Sequence, residues 1–240
     1  MTEQRLQKVL AAAGVDSRRK CEELILDGAV RVNRKVVDKL PAFVDPQKDV
    51  ITVNGKKIHA AQKVYFLLNK PKGVICTNSD PQGRKKAIDL VHTNERIFCV
   101  GRLDVDTTGL IILTNDSELT NKLTHPRYGL AKTYVVKVKG EIAAEQVEKV
   151  KKGVWLAESK TGRASVKILK RGHRESSIEI TIRQGLNRQV RRMLAKVGLS
   201  VKTLTRTRIA KLTTRGLGVG KFRTLTKTEV AYLRKKTNNT

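Results

Sequence analysis

The chain has 240 residues, enough for one large domain or a medium domain plus a small one, and its 50 Lys+Arg against 22 Asp+Glu give a net charge of +28. That surplus exceeds what solubility requires and points to a polyanionic partner, while an aromatic content of 4% argues against generic base stacking over a broad sheet surface. Cys21, Cys76 and Cys99 lack zinc spacing, no apolar stretch reaches the roughly 18 residues of a membrane helix, and the start lacks a signal-peptide core, so a reduced, cytoplasmic protein is expected.

The charge is uneven. Residues 1–60 hold 12 basic and 8 acidic side chains, whereas residues 160–240 hold 22 and 3, so the strongest phosphate-facing surface should come mostly from the last third. From the N-terminus, residues 4–13 place Leu6, Val9, Leu10 and Ala13 on one helical face, and Gly14 ends the run. Ser17 suits the N-cap of a second helix in which Cys21, Leu24 and Ile25 face inward and which Gly28 terminates. Arg18, Arg19 and Lys20 fall in its first turn, where cations oppose the helix dipole, so a phosphate is the expected reason for them. Residues 29–33, which include Arg31, alternate like a strand, and a second strand at 50–53 runs into the Asn54-Gly55 hairpin signal. Residues 58–63 read as a linker, giving a small domain at 1–60 and a larger one at 61–240.

Beyond the linker the character changes to many strands and few helices. Strands are predicted at 64–69, 73–77, 97–100, 110–115, 133–139, 164–169, 177–183 and 201–209, and helices at 117–124, 143–152, 187–197 and 227–236. This mixture predicts an α+β domain around a mixed, largely antiparallel sheet. Asn69-Lys70-Pro71-Lys72-Gly73 is a turn by its chemistry, with a mainly structural role. The polar tail from Lys235 to Thr240 is expected to fray.

Three stretches carry candidate chemistry. Gly101-Arg102-Leu103-Asp104-Val105-Asp106 is a loop between two apolar runs, and it brings carboxylates into an otherwise basic surface. Both aspartates equally suit an ordinary turn, because their side chains bond their own backbone. Lys132-Thr133-Tyr134 opens a strand whose alternation puts Tyr134 on the apolar face, a position that fits core packing as well as a site. Asn187-Arg188-Gln189-Val190-Arg191-Arg192 opens a helix that Asn187 can cap, with Arg188, Arg191 and Arg192 at spacings of three and four.

Gly-Arg-Leu-Asp followed by Thr-x-Gly-Leu-x-x-x-Thr-Asn-Asp resembles the catalytic motif of the RsuA/RluB family of ribosomal RNA pseudouridine synthases. The resemblance spans nearly the whole chain, with Asn-Lys-Pro-Lys-Gly, Lys-Thr-Tyr and Asn-Arg-Gln-Val-Arg-Arg-Met following in family order. Ser17-Arg18-Arg19 and the segment from Gly28 to Asn33 resemble the family's N-terminal S4-type RNA-binding domain, which implies RNA contacts from Arg18, Arg19, Lys20 and Arg31. The resemblance implies that Asp104 is the nucleophile, that Arg191 pairs with it, and that Tyr134 packs on the flipped uracil, with Tyr128 the weaker alternative. Asp106 has no catalytic counterpart. Arg102, Arg188 and Arg192 are implied as RNA contacts. Two departures stand out: Leu186 where a basic residue is usual, and Ala210 where glycine is usual.

The implied activity is isomerisation of uridine to pseudouridine in ribosomal RNA. It requires a base extruded from its stack and no metal or cofactor, and it implies a monomer with no membrane partner. The Ser-Arg-Arg-Lys-Cys-Glu-Glu-Leu-Ile and Val-Tyr-Phe-Leu-Leu-Asn-Lys-Pro stretches most resemble members acting on large-subunit RNA, with small-subunit RNA the runner-up. Two other readings are a non-catalytic ribosome-associated RNA binder, for which the charge alone suffices, and a hydrolase of the nucleoside glycosidic bond.

Overall fold

The computed structural model describes residues 3–237, which divide into two compact units. The first comprises the chain up to Val64 with Thr93–Ile97 and Asn115–Ser117, and the second comprises Tyr65–His92, Phe98–Thr114 and the chain from Glu118 onward.

In the first unit β1 (Gln4–Arg5) leads into α1 (Leu6–Ala12) and α2 (Arg18–Leu26). They are followed by β2 (Val30–Val32), β3 (Lys35–Val36), β4 (Phe43–Val44), β5 (Ile51–Val53) and β6 (Lys56–Lys57). The helical spacing of Leu6 and Leu10, and of Cys21 and Ile25, does what amphipathic periodicity predicts: these side chains form one core with Val30, Val44 and Ile51. Ser17 caps α2, its Oγ accepting from the Lys20 N–H at 3.2 Å. β3-β2-β5-β6 form an antiparallel sheet. The β5–β6 hairpin turns through Asn54 and Gly55, both left-handed (φ 47° and 76°), as a two-residue type I′ turn requires.

The second unit is built on β7 (Tyr65–Lys70), β8 (Phe98–Cys99), β9 (Thr108–Thr114), α3 (Ser117–Thr124), β10 (Lys132–Lys139), α4 (Ala144–Lys152), β11 (Ser165–Lys170) and β12 (Glu175–Ile182). The chain continues through α5 (Gln189–Lys196), β13 (Val201–Ile209), β14 (Leu212–Thr213), β15 (Phe222–Thr224) and α6 (Lys227–Lys236). The main strand order is β11-β12-β10-β13-β9-β7-β15, with β14 on β13 and β8 on β9. Every pairing is antiparallel except β13–β9, so the sheet is mixed and largely antiparallel in an α+β fold, as predicted. Leu67, Leu110 and Ile112 pack with Leu119 and Leu123 of α3 and Leu233 of α6 in one apolar cluster. Among the described residues no helix is long and apolar enough to cross a membrane.

Three local features differ from the sequence reading, and a fourth explains a departure noted there. Residues 73–77 form no strand; Ile75 makes a single bridge to Lys86, and the carbonyls of Pro71 and Val74 are taken by the Lys70 ammonium instead of a ladder. α5 begins at Gln189, and its N-cap is Arg188 in the left-handed conformation (φ 46°), not Asn187. Ala210 is also left-handed (φ 49°), which accounts for glycine being usual there. α6 continues through Lys236 and ends on a buried Thr237, whereas Asn238–Thr240 of the tail expected to fray lie outside the described residues.

The parallel junction carries the site loop, and one glycine makes it possible. Gly109 pairs with Arg206, and a Cβ there would sit 2.2 Å from the Arg206 carbonyl oxygen. Gly109→Ala must therefore part β9 from β13. A loss of about 3 kcal/mol or more in urea unfolding is expected, and a near-neutral value would contradict this packing.

Candidate active site

Asp104 sits on the loop between β8 and β9, just after the buried Leu103. The loop is closed by the Thr107 N–H donating to the Asp104 carbonyl at 3.0 Å. Its back is held by the 71–76 segment: the Gly73 N–H donates to the Val105 carbonyl at 2.8 Å, and the Leu103 N–H to Cys76 Sγ at 3.5 Å. That segment is in turn stapled by Lys70. Its side chain is fully buried, and Nζ donates to the Val74 carbonyl at 2.7 Å and the Pro71 carbonyl at 3.1 Å. Burial pushes the Lys70 ammonium below its usual range, and the charges of Cys76, Asp106 and Asp104 oppose that shift. A residue read as mainly structural thus also places a positive charge behind both aspartates.

The same neighbourhood tunes a thiol. Cys76 is drawn down to about 6, first by a hydrogen bond from the Cys99 thiol, then by the Leu103 N–H and the charges of Lys70 and Arg206, against the opposing effect of burial. Cys99 shifts upward for the converse reason.

Two arginines from the start of α5 meet the two carboxylates. Arg188 Nη1 lies 3.3 Å from Asp104 Oδ2 and 3.6 Å from Asp106 Oδ1. Arg191 Nη2 lies 2.8 Å from Asp106 Oδ2. The expected Arg191–Asp104 ion pair is not formed; Arg191 takes Asp106, and Arg188 takes Asp104. The reason is geometric. Arg191 lies in the first turn of α5 with its side chain only 13% exposed, and it reaches Asp106, whose Oδ1 is buried although its side chain as a whole is 37% exposed against 29% for Asp104. Arg188 precedes the helix in a left-handed conformation and covers Asp104 from the solvent side, with 44% of its side chain exposed. Asp106, set aside in the sequence reading, is therefore the link between Arg191 and the Asp104 loop.

A cleft of about 160 Å³ opens at this point, lined by Asp104, Arg102, Arg188, Tyr134, Lys132 and Arg206 on an apolar floor that includes Leu204 and Ile182. Tyr134 is buried in its wall, 8% exposed. Arg102 is exposed at the rim. Tyr128 does not line this cleft; it ends the short helical turn Pro126–Tyr128, beneath the Arg127 guanidinium. Nor does Arg192, which is engaged by Glu158 and by the Asn187 carbonyl. In the first unit Arg18, Arg19 and Lys20 are exposed on the first turn of α2, with Lys20 paired to Glu23 at 2.6 Å, and Arg31 is exposed on β2.

Sequence reasoning missed two cations of the cleft. Arg206 is only 3% exposed; its Nε donates to the Leu110 carbonyl at 2.6 Å, and its Nη2 has no partner. Lys132 is drawn down to about 8 by burial and by the Arg206 charge. The signal was available in the alternation of the strands. Arg206 shares a face of β13 with buried Leu204, and Lys132 shares a face of β10 with Tyr134, so each puts a charge where an apolar residue would ordinarily pack.

The RNA pseudouridylate synthase family matches residues 64–196, and the S4 domain matches residues 4–51. The chain belongs to the RNA pseudouridylate synthase family and carries an S4 domain ahead of its synthase fold. It is 49% identical over 234 residues to ribosomal large subunit pseudouridine synthase B of Bacillus subtilis, covering 96% of each chain. It is 38% identical over 239 residues to the protein of the same name from Pseudomonas aeruginosa, covering 96% of this chain and 61% of that one. A crystal structure of a pseudouridylate synthase superposes with a TM-score of 0.70 at 29% identity, covering 95% of this chain and 99% of the other.

Proposed function

We propose that the chain isomerises a uridine of large-subunit ribosomal RNA to pseudouridine, with residues 1–60 gripping RNA and residues 61–240 performing the chemistry. The observation that carries the reading is Asp104: a carboxylate in a small, otherwise cationic cleft, beside a buried tyrosine. The name borne by the Bacillus subtilis relative supports the choice of large-subunit RNA.

The target base must leave its stack to enter so narrow a cleft. Tyr134 offers its ring to the uracil, and Arg102 at the rim occupies the vacated space or holds a phosphate. Asp104 either attacks C1′ of the ribose or removes a ribose proton, and in both cases the C1′–N1 bond breaks with its electron pair leaving on the uracil. Lys132 and the unpaired Nη2 of Arg206 stand where that negative charge develops, and preorganised donors of this kind act most strongly in a water-poor site. The uracil turns and C5 bonds to C1′, displacing the Asp104 carboxylate in the first case, and with the ribose taking back its proton in the second; the C5 proton leaves and N1 regains a proton, so the mass is unchanged. Arg188 holds Asp104 directly. Arg191 is a positioning residue that acts through Asp106.

Asp104→Asn should lower pseudouridine formation in ribosomal RNA by roughly 10⁴-fold or more while RNA binding persists. Measurable turnover in that variant would refute the assignment. Release of free uracil by the wild-type protein would favour glycosidic hydrolysis instead.

Lys132 adds a pH dependence. Its ammonium form is lost as pH rises through about 8, so kcat/KM should fall on that alkaline limb. Lys132→Arg retains the charge and should move the limb well above pH 8, whereas an unchanged profile would remove Lys132 from the chemistry.

A further inference from the structure

The second unit holds another groove, of about 670 Å³, whose lining includes Tyr128, Arg183, Lys211, Tyr232, Lys235 and Lys236. No carboxylate lines it. Elsewhere among the described residues seven lysines stand beside an acidic partner, as Lys122 does beside Glu118 and Lys149 beside Glu145. None of these four cations has an ion-pair partner among the described residues; Arg183 donates only to the Gly129 carbonyl, at 3.3 Å. The groove therefore carries concentrated positive charge that no carboxylate among the described residues pairs with. Anionic ligands are what such a surface attracts.

Aromatic rings are concentrated in the same place. The chain has 4 tyrosines, and two of them line this groove. Each is accompanied by a cation: the Arg127 guanidinium lies 4.5 Å from the Tyr128 ring centroid, and Lys211 Nζ lies 5.0 Å from that of Tyr232. Both tyrosines are half-buried, which restrains the rings while leaving part of each accessible. Ring faces alternating with unpaired cations match unpaired nucleotides, whose bases stack while their phosphates find Lys and Arg. A duplex offers the phosphates but keeps its bases stacked on one another.

The groove adjoins the Asp104 cleft. Leu130 lines both, and Lys132, two residues further along the chain, lines the cleft. Two residues of extended chain span about 7 Å, which puts the groove within reach of nucleotides next to one seated in the cleft. We propose that this groove is the docking site for the single-stranded RNA immediately flanking the target uridine, its cations holding the phosphates and Tyr232 stacking on an unpaired base. The proposal rests on the reading of the Asp104 cleft as the uridine site.

The test compares binding of a short single-stranded oligouridylate with binding of an RNA duplex of equal length, using the full chain. Tyr232→Leu should weaken oligouridylate binding about tenfold and leave duplex binding within twofold. Tyr232→Phe, which keeps the ring and its packing, should bind both RNAs as the wild type does. The combined change Lys211→Gln, Lys235→Gln and Lys236→Gln should reduce the slope of log affinity against log salt for the oligouridylate by about 2. Full oligouridylate affinity in a folded Tyr232→Leu protein, equal losses on the two RNAs, or an unchanged salt slope would each overturn the proposal. Should Tyr232→Leu fail to fold, the lysine variant decides the matter through the salt slope. Turnover by Asp104→Asn is measured separately, so a failed groove and a failed isomerase give different patterns.

Discussion

Two aspartates lie side by side in a protein of net charge +28, and the site depends on how cations flank them. Arg188 and Arg191 approach from α5, and the buried Lys70 ammonium stands behind. The arrangement is a ladder, not a single ion pair. The more exposed Arg188–Asp104 contact is of a kind that contributes little alone, whereas the Arg191–Asp106 contact is shorter and better shielded. Asp106 Oδ1 and Arg191 Nε are buried without hydrogen-bond partners, which marks a cluster held by charge more than by complete hydrogen bonding.

The scaffold exists to fix that ladder in place. One side is the α5 start, where left-handed Arg188 turns its guanidinium onto the Asp104 loop. The other is the 71–76 segment, which holds the loop through Val105 and Leu103 and is itself held by Lys70. Between them, Gly109 lets β9 lie close enough to β13 to bring Arg206 into the cleft. Lys132 and Arg206 then make the inner wall cationic, in contrast to the single carboxylate at the mouth. Such polarity suits a step in which negative charge moves from a carboxylate toward a departing base.

Much of this was legible in the sequence because the relevant elements are long and periodic. The helices Ser117–Thr124 and Lys227–Lys236 and the strand Val201–Ile209 stand where hydrophobic spacing put them. The Asp104 loop was legible as a motif between apolar runs. The pairing of the arginines was not, because it turns on the left-handed backbone of Arg188, a conformation that helical spacing does not encode. Lys70 escaped for a different reason: only burial separates a working internal cation from one of the many solvated lysines and arginines of a basic chain, whereas Arg206 was legible in the alternation of its strand and was overlooked. The placing of Tyr128 outside the cleft likewise depends on the short turn after His125, which carries no periodic signal.

The two aspartates and two arginines act as one unit that aims Asp104. A double-mutant cycle on Asp106→Asn and Arg191→Gln, read as the rate of pseudouridine formation in ribosomal RNA, measures this most directly. The double variant should be no slower than the worse single variant, with a coupling of about 1 kcal/mol or more. Losses that simply multiply would contradict this, because Asp106 and Arg191 would then act independently.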